Sequence, residues 1–249
     1  MYDVHLLLEA IDANRGYVLS GFVICMIFQV WWLGNAVLVA RRDKAYSIPF
    51  FCTAFWFAHD LGVAVRFQQW FVVYDHWYLK IFWVGLLAAL VLELFFLWQT
   101  AKYGHGELLP EWSRKSFALL LVVALLFAEV IHEYFKLAFG DPLFQLDPTL
   151  TMLVYPVFGA AMVVRRKSTR GQSATMWWTF TAMTAIFHAT TYLWFSPPFQ
   201  SWYYVTAAVV ATLGGAVMAC VISLPDSRLF PKRYGQAPPS SLPPQALTK

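Results

Sequence analysis

Seven stretches of this chain are almost purely apolar and long enough, or nearly so, to cross a lipid bilayer: residues 17–40, 47–74, 79–101, 117–139, 149–164, 176–196 and 202–224. A helix rises about 1.5 Å per residue, so a hydrocarbon core about 30 Å thick calls for about 20 mostly apolar residues. Only the fifth stretch is short. Composition agrees, with 59% hydrophobic and 13% charged residues, against about 45–50% and about 25% in soluble domains. So few charges cannot cover the surface of a water-soluble fold of this length, which excludes a typical soluble enzyme and a disordered chain. The three cysteines, Cys25, Cys52 and Cys220, all lie in apolar runs, which argues against a disulfide framework. The predicted fold is therefore all-α: a seven-transmembrane-helix bundle over residues 1–224.

The basic residues orient it. One set of loops holds Arg41, Arg42 and Lys44; Lys102, Arg114 and Lys115; Arg165, Arg166, Lys167 and Arg170; and Arg228, Lys232, Arg233 and Lys249. The other side holds Arg15 and Lys80, with Lys136 near that surface. The positive-inside rule then predicts the N-terminus outside and the C-terminus cytoplasmic. The net charge of +4 is thus a topology signal, and no nucleic-acid partner is expected. Residues 1–16 carry no basic n-region, so the first stretch is expected to be a span and not a cleavable signal. Residues 3–12 suit a short amphipathic helix on the outer interface. Residues 225–249 carry six prolines and are expected to be a disordered cytoplasmic tail. Trp70, Trp77, Tyr78, Trp194, Trp202, Tyr203 and Tyr204 sit at span ends, where interfacial belts belong. Either a plasma membrane or an endoplasmic reticulum fits this plan.

Ionisable groups at bilayer depth are costly and mark function by default. The second span carries His59, Asp60 and Arg66, the third Glu93, the fourth Glu129, His132 and Glu133, and the sixth His188. Counting residues puts Asp60, Glu129, His132, Glu133 and His188 between the midplane and the outer third, with Glu93 slightly inward. A shared pocket is the economical reading. Glu129 and Glu133 fall on one helix face, and Arg66 is placed to pair with Glu133 or reach headgroups. Asp60, being short, cannot snorkel far and is the leading acid; His59 is its neighbour in sequence but is not expected on the same helix face. Glu129 and Glu133 are candidates for base, relay or water-positioning groups, Glu93 for a second carboxyl, and His188 for a proton acceptor. Trp32, Trp56, His59, His132 and Tyr192 are candidate substrate-binding residues. Each has a plainer reading: Arg66 as an ion-pair partner, Glu93 and His188 as helix-packing hydrogen bonders, the aromatics as lipid-facing or packing groups.

A carboxyl group in an apolar bundle can hold its proton at neutral pH and pass it to an alkene or epoxide. Aromatic faces stabilise the resulting cation, and a second carboxylate or histidine removes the final proton. Such chemistry suits a lipophilic substrate and needs neither cofactor nor metal.

Short motifs carry a resemblance. Trp56-Phe57-Ala58-His59-Asp60 is similar to a Trp-Glu segment, Lys102-Tyr103-Gly104 to a Lys-Phe/Tyr-Gly ending, and Arg165-Arg166-Lys167-Ser168-Thr169-Arg170-Gly171-Gln172-Ser173 to an Arg…Gly-Gln-Ser loop. All three belong to the small seven-span integral membrane terpene cyclases of meroterpenoid and indole-diterpene pathways. The resemblance implies a cofactor-free, proton-initiated reaction on a prenylated or terpenoid substrate, with Asp60 near the family acid. That acid is usually Glu. The family's second carboxylate lies in the last span, and residues 202–224 hold none; Asp226 falls beyond it. Its role would pass to Glu129, Glu133 or Glu93.

Two other readings stand beside the cyclase. Glu129-Val-Ile-His132 has the Glu-x-x-His spacing of carboxylate-bridged di-iron bundles, though without a second copy, and Asp60, Glu93 and His188 are candidates to complete an irregular metal site. His59 or His188 is a candidate axial haem ligand. Buried carboxylates and histidines also serve proton-coupled transport.

Overall fold

The computed structural model describes residues 2–230. Among these, every regular element is helical. Each of the seven apolar stretches forms a helix: α2 (Arg15–Asp43), α3 (Phe50–Ala64), α4 (Trp77–Tyr103), α6 (Arg114–Phe139), α7 (Asp147–Arg166), α8 (Ala174–Trp194) and α9 (Trp202–Ile222). Short helices α1 (Val4–Ala13), α5 (His105–Leu108) and α10 (Asp226–Leu229) lie at their ends. Five of them, α2, α4, α6, α7 and α9, are long and apolar enough to cross a membrane.

Local chemistry sets the boundaries. Serine oxygens at 113, 173 and 201 accept the backbone N–H of residues 116, 176 and 204 and so start α6, α8 and α9, while Asp3 does the same for α1. Such caps satisfy N–H groups that a helix leaves unpaired. Gly140 closes α6 in the left-handed conformation, where a missing Cβ costs nothing.

The stretch 47–74 does not run as one helix. α3 stops at Ala64, and a single π turn forms later, over Gln69–Val73. Arg66 explains the break. Its backbone N–H tightens onto Val63 O (3.0 Å), and its own Nη1 donates to the Gly62 carbonyl that this leaves free (2.5 Å). Its Nη2 meanwhile reaches Glu133 Oε2 across on α6 (2.7 Å), the pairing expected from the sequence.

α3 lies centrally, against α4, α6 and α7; α9 packs on α7 and α8, and α8 on α2. The α2 and α4 backbones stay apart and meet only through side chains, such as Phe22 against Tyr78 and Phe82. The outward faces are strongly apolar: Leu119, Val122, Leu126, Phe127, Val130 and Leu137 of α6 are all exposed. Apolar cover on this scale belongs in lipid, since soluble monomers rarely expose patches beyond a few hundred Å².

The basic helix ends meet at one end of the bundle. There Glu107 binds Arg165 Nη2 (2.5 Å), Arg166 Nε (2.9 and 3.0 Å) and the Tyr46 hydroxyl (2.9 Å). Arg166 also donates to Tyr46 O and Arg170 O. The Gly171 N–H reaches Asp43. Gln172 spans Ser47 O and Trp177 Nε1. Asp226 accepts from Ser168 Oγ (2.8 Å) and from Thr169 N and Oγ1. The loop from Arg165 to Ser173 is therefore a structural knot. The expected tail begins with a helical turn, α10, tied down by Asp226; residues 231–249 lie outside the described residues.

At the opposite end α1 packs as expected for an amphipathic helix, but onto the bundle itself. Leu7, Leu8 and Ile11 are buried with Trp70, Tyr78 and Leu79. Tyr2 donates to Asp141 (2.7 Å), and Asp141 also accepts the backbone N–H of Gln145, Leu146 and Asp147. The expected belt splits here. Trp202 and Tyr203 are exposed, whereas Trp70, Tyr78 and Tyr204 are core residues: α1 packs with Trp70 and Tyr78, and Tyr204 packs on His188 and Phe199.

Candidate functional site

The gap between α2 and α4 is a cavity of about 250 Å³, floored by α3, α7 and α8. Its walls are overwhelmingly apolar. From α2 come Phe22, Met26, Trp32 and Leu33; from α4, Phe82, Leu86 and Phe96; from α8, Met183 and Phe187. Trp56 of α3 lies edge-on to Trp32, centroids 5.2 Å apart, and tilted to Tyr155 at 5.7 Å. Trp32 and Trp56 thus line the cavity.

Polar groups enter at few points. His59, Asp60 and Glu93 line the cavity, and all three residues are buried. His59 Nδ1 lies 2.6 Å from Asp60 Oδ1, and His59 Nε2 lies 3.0 Å from Phe144 O. The two side chains are therefore not separated as expected. Adjacent helical residues project about 100° apart, but the two side chains turn toward each other, and the Phe144 carbonyl anchors the ring from the turn that follows α6. Asp60 and Glu93 face each other across α3 and α4, with their carboxyl groups in hydrogen-bonding reach. A hydrogen bond between two carboxyls requires a proton on one of them. Glu93 Oε2 has no hydrogen-bond partner in the protein.

Behind this row sits His132, fully buried on α6. Its ring is edge-on to His59 (5.7 Å) and stacked on Phe144 (5.1 Å). Its Nδ1 lies 3.1 Å from Asp147 Oδ2. That distance suits an ion pair, but the alignment is not that of a hydrogen bond, and both atoms lack hydrogen-bond partners. His132 does not reach the cavity, which corrects its expected contact with substrate.

The remaining candidates are not gathered with Asp60. Glu133 is bound by Arg66 and lies 3.7 Å from Lys136. Glu129 is half-buried on the same face and absent from the cavity wall. Residue counting gives height along α6 but not rotation about it, and α6 packs on α3 from the side away from the cavity. His188 Nδ1 takes the Thr184 carbonyl (2.7 Å), and Nε2 lies 3.2 Å from Thr149 Oγ1. It lines a separate open groove between α8 and α9 with Tyr192 and Tyr204, so His188 and Tyr192 do not meet the Asp60 site. Among the described residues no group of three or more His, Cys, Asp or Glu is arranged to hold a metal ion; Glu129 and His132 gain no third partner from Asp60, Glu93 or His188.

Two cavity residues escaped the sequence reading. Gln29 of α2 and Thr53 of α3 also line the wall. Both are uncharged, so a search for ionisable groups passes over them, although an amide at mid-span carries the same kind of signal. Asp147 was missed because Pro148 marks it as a loop residue.

Outside the spans, the electrostatics are those of a fastened frame. Burial alone would raise the Glu107 carboxyl, but Arg166 and Arg165 outweigh it and hold it below the usual glutamate value of 4.5. The hydrogen bond from Ser168, helped by Thr169, lowers Asp226 likewise.

Fold and site together define a helical membrane protein with a carboxyl-bearing apolar chamber inside it. No family model, no curated protein and no solved structure matches the chain.

Proposed function

We propose that this protein is an intramembrane enzyme that protonates a lipophilic, isoprenoid-type alkene or epoxide and so drives its cyclisation or isomerisation. In this reading α2, α3, α4, α6, α7, α8 and α9 are seven spans, with the N-terminus outside and the basic knot in the cytoplasm. The observation that carries the proposal is the hydrogen-bonded His59–Asp60 pair, set with Glu93 in the wall of an aromatic, apolar cavity.

The chemistry follows from the placement. The proton held at Asp60 and Glu93 passes to an alkene carbon, or to an epoxide oxygen with cleavage of its C–O bond, leaving a carboxylate and a carbocation. The carboxylate is held by His59, whose other nitrogen is fixed by Phe144 O. Trp32, Trp56 and Phe96 offer π faces to the cation, each worth about 0.5–2 kcal/mol when desolvated, and none is a nucleophile that would trap it. The same carboxylate then takes a proton from a neighbouring carbon and restores the row. No net proton is consumed, and no redox partner enters. The resemblance to seven-span terpene cyclases points the same way, with Glu93 supplying the second carboxyl that the last span lacks.

The test is turnover of a polyprenyl aryl ether by purified protein in deuterated buffer, in nanodiscs, without added cofactor. The proposal expects isomeric products carrying one carbon-bound deuterium. Absence of conversion across a series of chain lengths, or products without that label, would overturn it.

A further inference from the structure

We infer that the seam between α2 and α4 is a lateral door to the bilayer, and that Met26 and Gly85 set its width for a chain-like hydrocarbon. This rests on reading the cavity as a substrate chamber, and it adds the route by which the chamber fills.

Three observations carry it. First, both ends of the chamber are closed. At one end α1 lies over it: Leu7, Leu8 and Ile11 pack with Tyr78 and Leu79, and Asp12 holds Trp77 Nε1 (2.6 Å) and lies 3.1 Å from His76 Nε2. At the other end the interlocked Trp32, Trp56 and Tyr155 rings fill the bundle. Second, the side is closed by side chains alone. α2 and α4 supply most of the lining, yet their backbones stay apart and meet only through side chains such as Phe22, whose ring lies 5.6 Å from Tyr78 and 6.4 Å from Phe82. Third, the place where they approach is built from the two residue types that yield most easily. Gly85 has no side chain, and a Cβ built there would meet only the Met26 terminal methyl, at 3.6 Å. Met26 is an unbranched thioether with three rotatable bonds, able to swing aside at little cost. It is 45% exposed on the lipid-facing side of the bundle.

The slot is also elongated. Its lining runs from Trp77 to Phe96 along α4, which at about 1.5 Å per residue is roughly 28 Å of helix. Such a shape accepts a linear chain lying along the helices and would leave a compact molecule poorly covered. A guest sliding between Met26 and Gly85 has Gln29 one turn further along α2 and Glu93 two turns further along α4, so the door opens directly beside the acid pair.

Photolabelling tests the door without requiring turnover. The probe is a geranylgeranyl chain with a terminal diazirine, in phosphatidylcholine nanodiscs, with cross-links mapped by peptide mass spectrometry. Wild-type protein should be labelled on α2 and α4 around Met26 and Gly85. Gly85→Phe should lower that labelling at least about fivefold, the change that about 1 kcal/mol of added obstruction gives. Met26→Ala should raise it. Should Gly85→Phe fail to fold, as judged by size-exclusion profile, Met26→Ala decides alone. Labelling confined to the Tyr192–Tyr204 groove, or insensitive to the variants that fold, would overturn the inference. Failure of the acid chemistry would show instead as retained turnover in Asp60→Asn, with the door labelling as described.

Discussion

Replacing Glu107 by Gln tests the physical account of the frame, because one carboxylate there joins three segments of chain: its own, the one holding Tyr46 and the end of α7. Its Oε1 and Oε2 take Arg166 Nε at 3.0 and 2.9 Å, and its Oε1 also takes Arg165 and Tyr46. Hydrogen bonds to charged groups contribute about 1.5–3 kcal/mol each when shielded. The Arg165 side chain is 44% exposed and that of Arg166 only 4%, so the first is discounted to at most about 1 kcal/mol. Gln keeps one acceptor oxygen, and Arg166 retains the Tyr46 and Arg170 carbonyls. The expected loss is about 2–3 kcal/mol at pH 7, read from denaturant or SDS titration of the detergent-solubilised protein. A sign also follows. The folded carboxyl lies below its usual value of 4.5, so its contribution is present above about pH 4.5 and is lost as pH falls through the lowered folded value. Glu107→Gln should flatten that part of the acid limb. A loss under about 0.5 kcal/mol, the level of an ordinary surface change, or an unchanged acid limb would refute the reasoning.

Gly159→Ala should cost about 1–3 kcal/mol by overpacking, because the new Cβ would fall within 2.6 Å of the Trp177 ring, which is fixed by Gln172 and stacked on Tyr155; a melting point equal to wild type would contradict that packing. His188→Asn should lower stability while changing kcat less than about threefold, since the imidazole is spent on Thr184 and Thr149 and any general acid–base role would cost about 100-fold or more; steady-state kinetics separates these. Trp56→Ala should release more prematurely quenched or deprotonated product at a similar KM, because a cation-facing wall is lost while the carboxyls stay in place; an unchanged product spectrum would remove Trp56 from that wall.

Much of the frame is legible in the sequence, because lipid imposes a simple rule: apolar length makes a helix, and six of the seven stretches run as single helices while 47–74 breaks. Arg66 shows the limit. Its charge announced a pairing with Glu133, but not that the same side chain would cap Gly62 and end α3. Asp60 and Glu93 were found as intramembrane acids, and their depths nearly agreed. Glu129, Glu133 and His188 share that depth as well, yet they face elsewhere. Depth follows from counting residues, whereas rotation about a helix axis follows from which neighbour it packs on, and a single sequence does not state that. His59 was misjudged for a related reason: helical spacing positions Cβ atoms, while rotamers and the Phe144 carbonyl from a distant turn decide where the ring ends. Trp70 sits at the end of an apolar stretch, as a belt residue would, yet the residues of α1 that bury it lie far away in sequence.

The central claim is that the Asp60 carboxyl, backed by His59 and facing Glu93, transfers the proton that starts the reaction. The most direct measurement is turnover by Asp60→Asn in nanodiscs beside wild type, with size-exclusion profile and melting point recorded on the same samples. Removing a general acid costs at least about 100-fold, so the account predicts a loss of that size in a protein that remains folded. Activity within about threefold of wild type, far below what general-acid catalysis supplies, would contradict it.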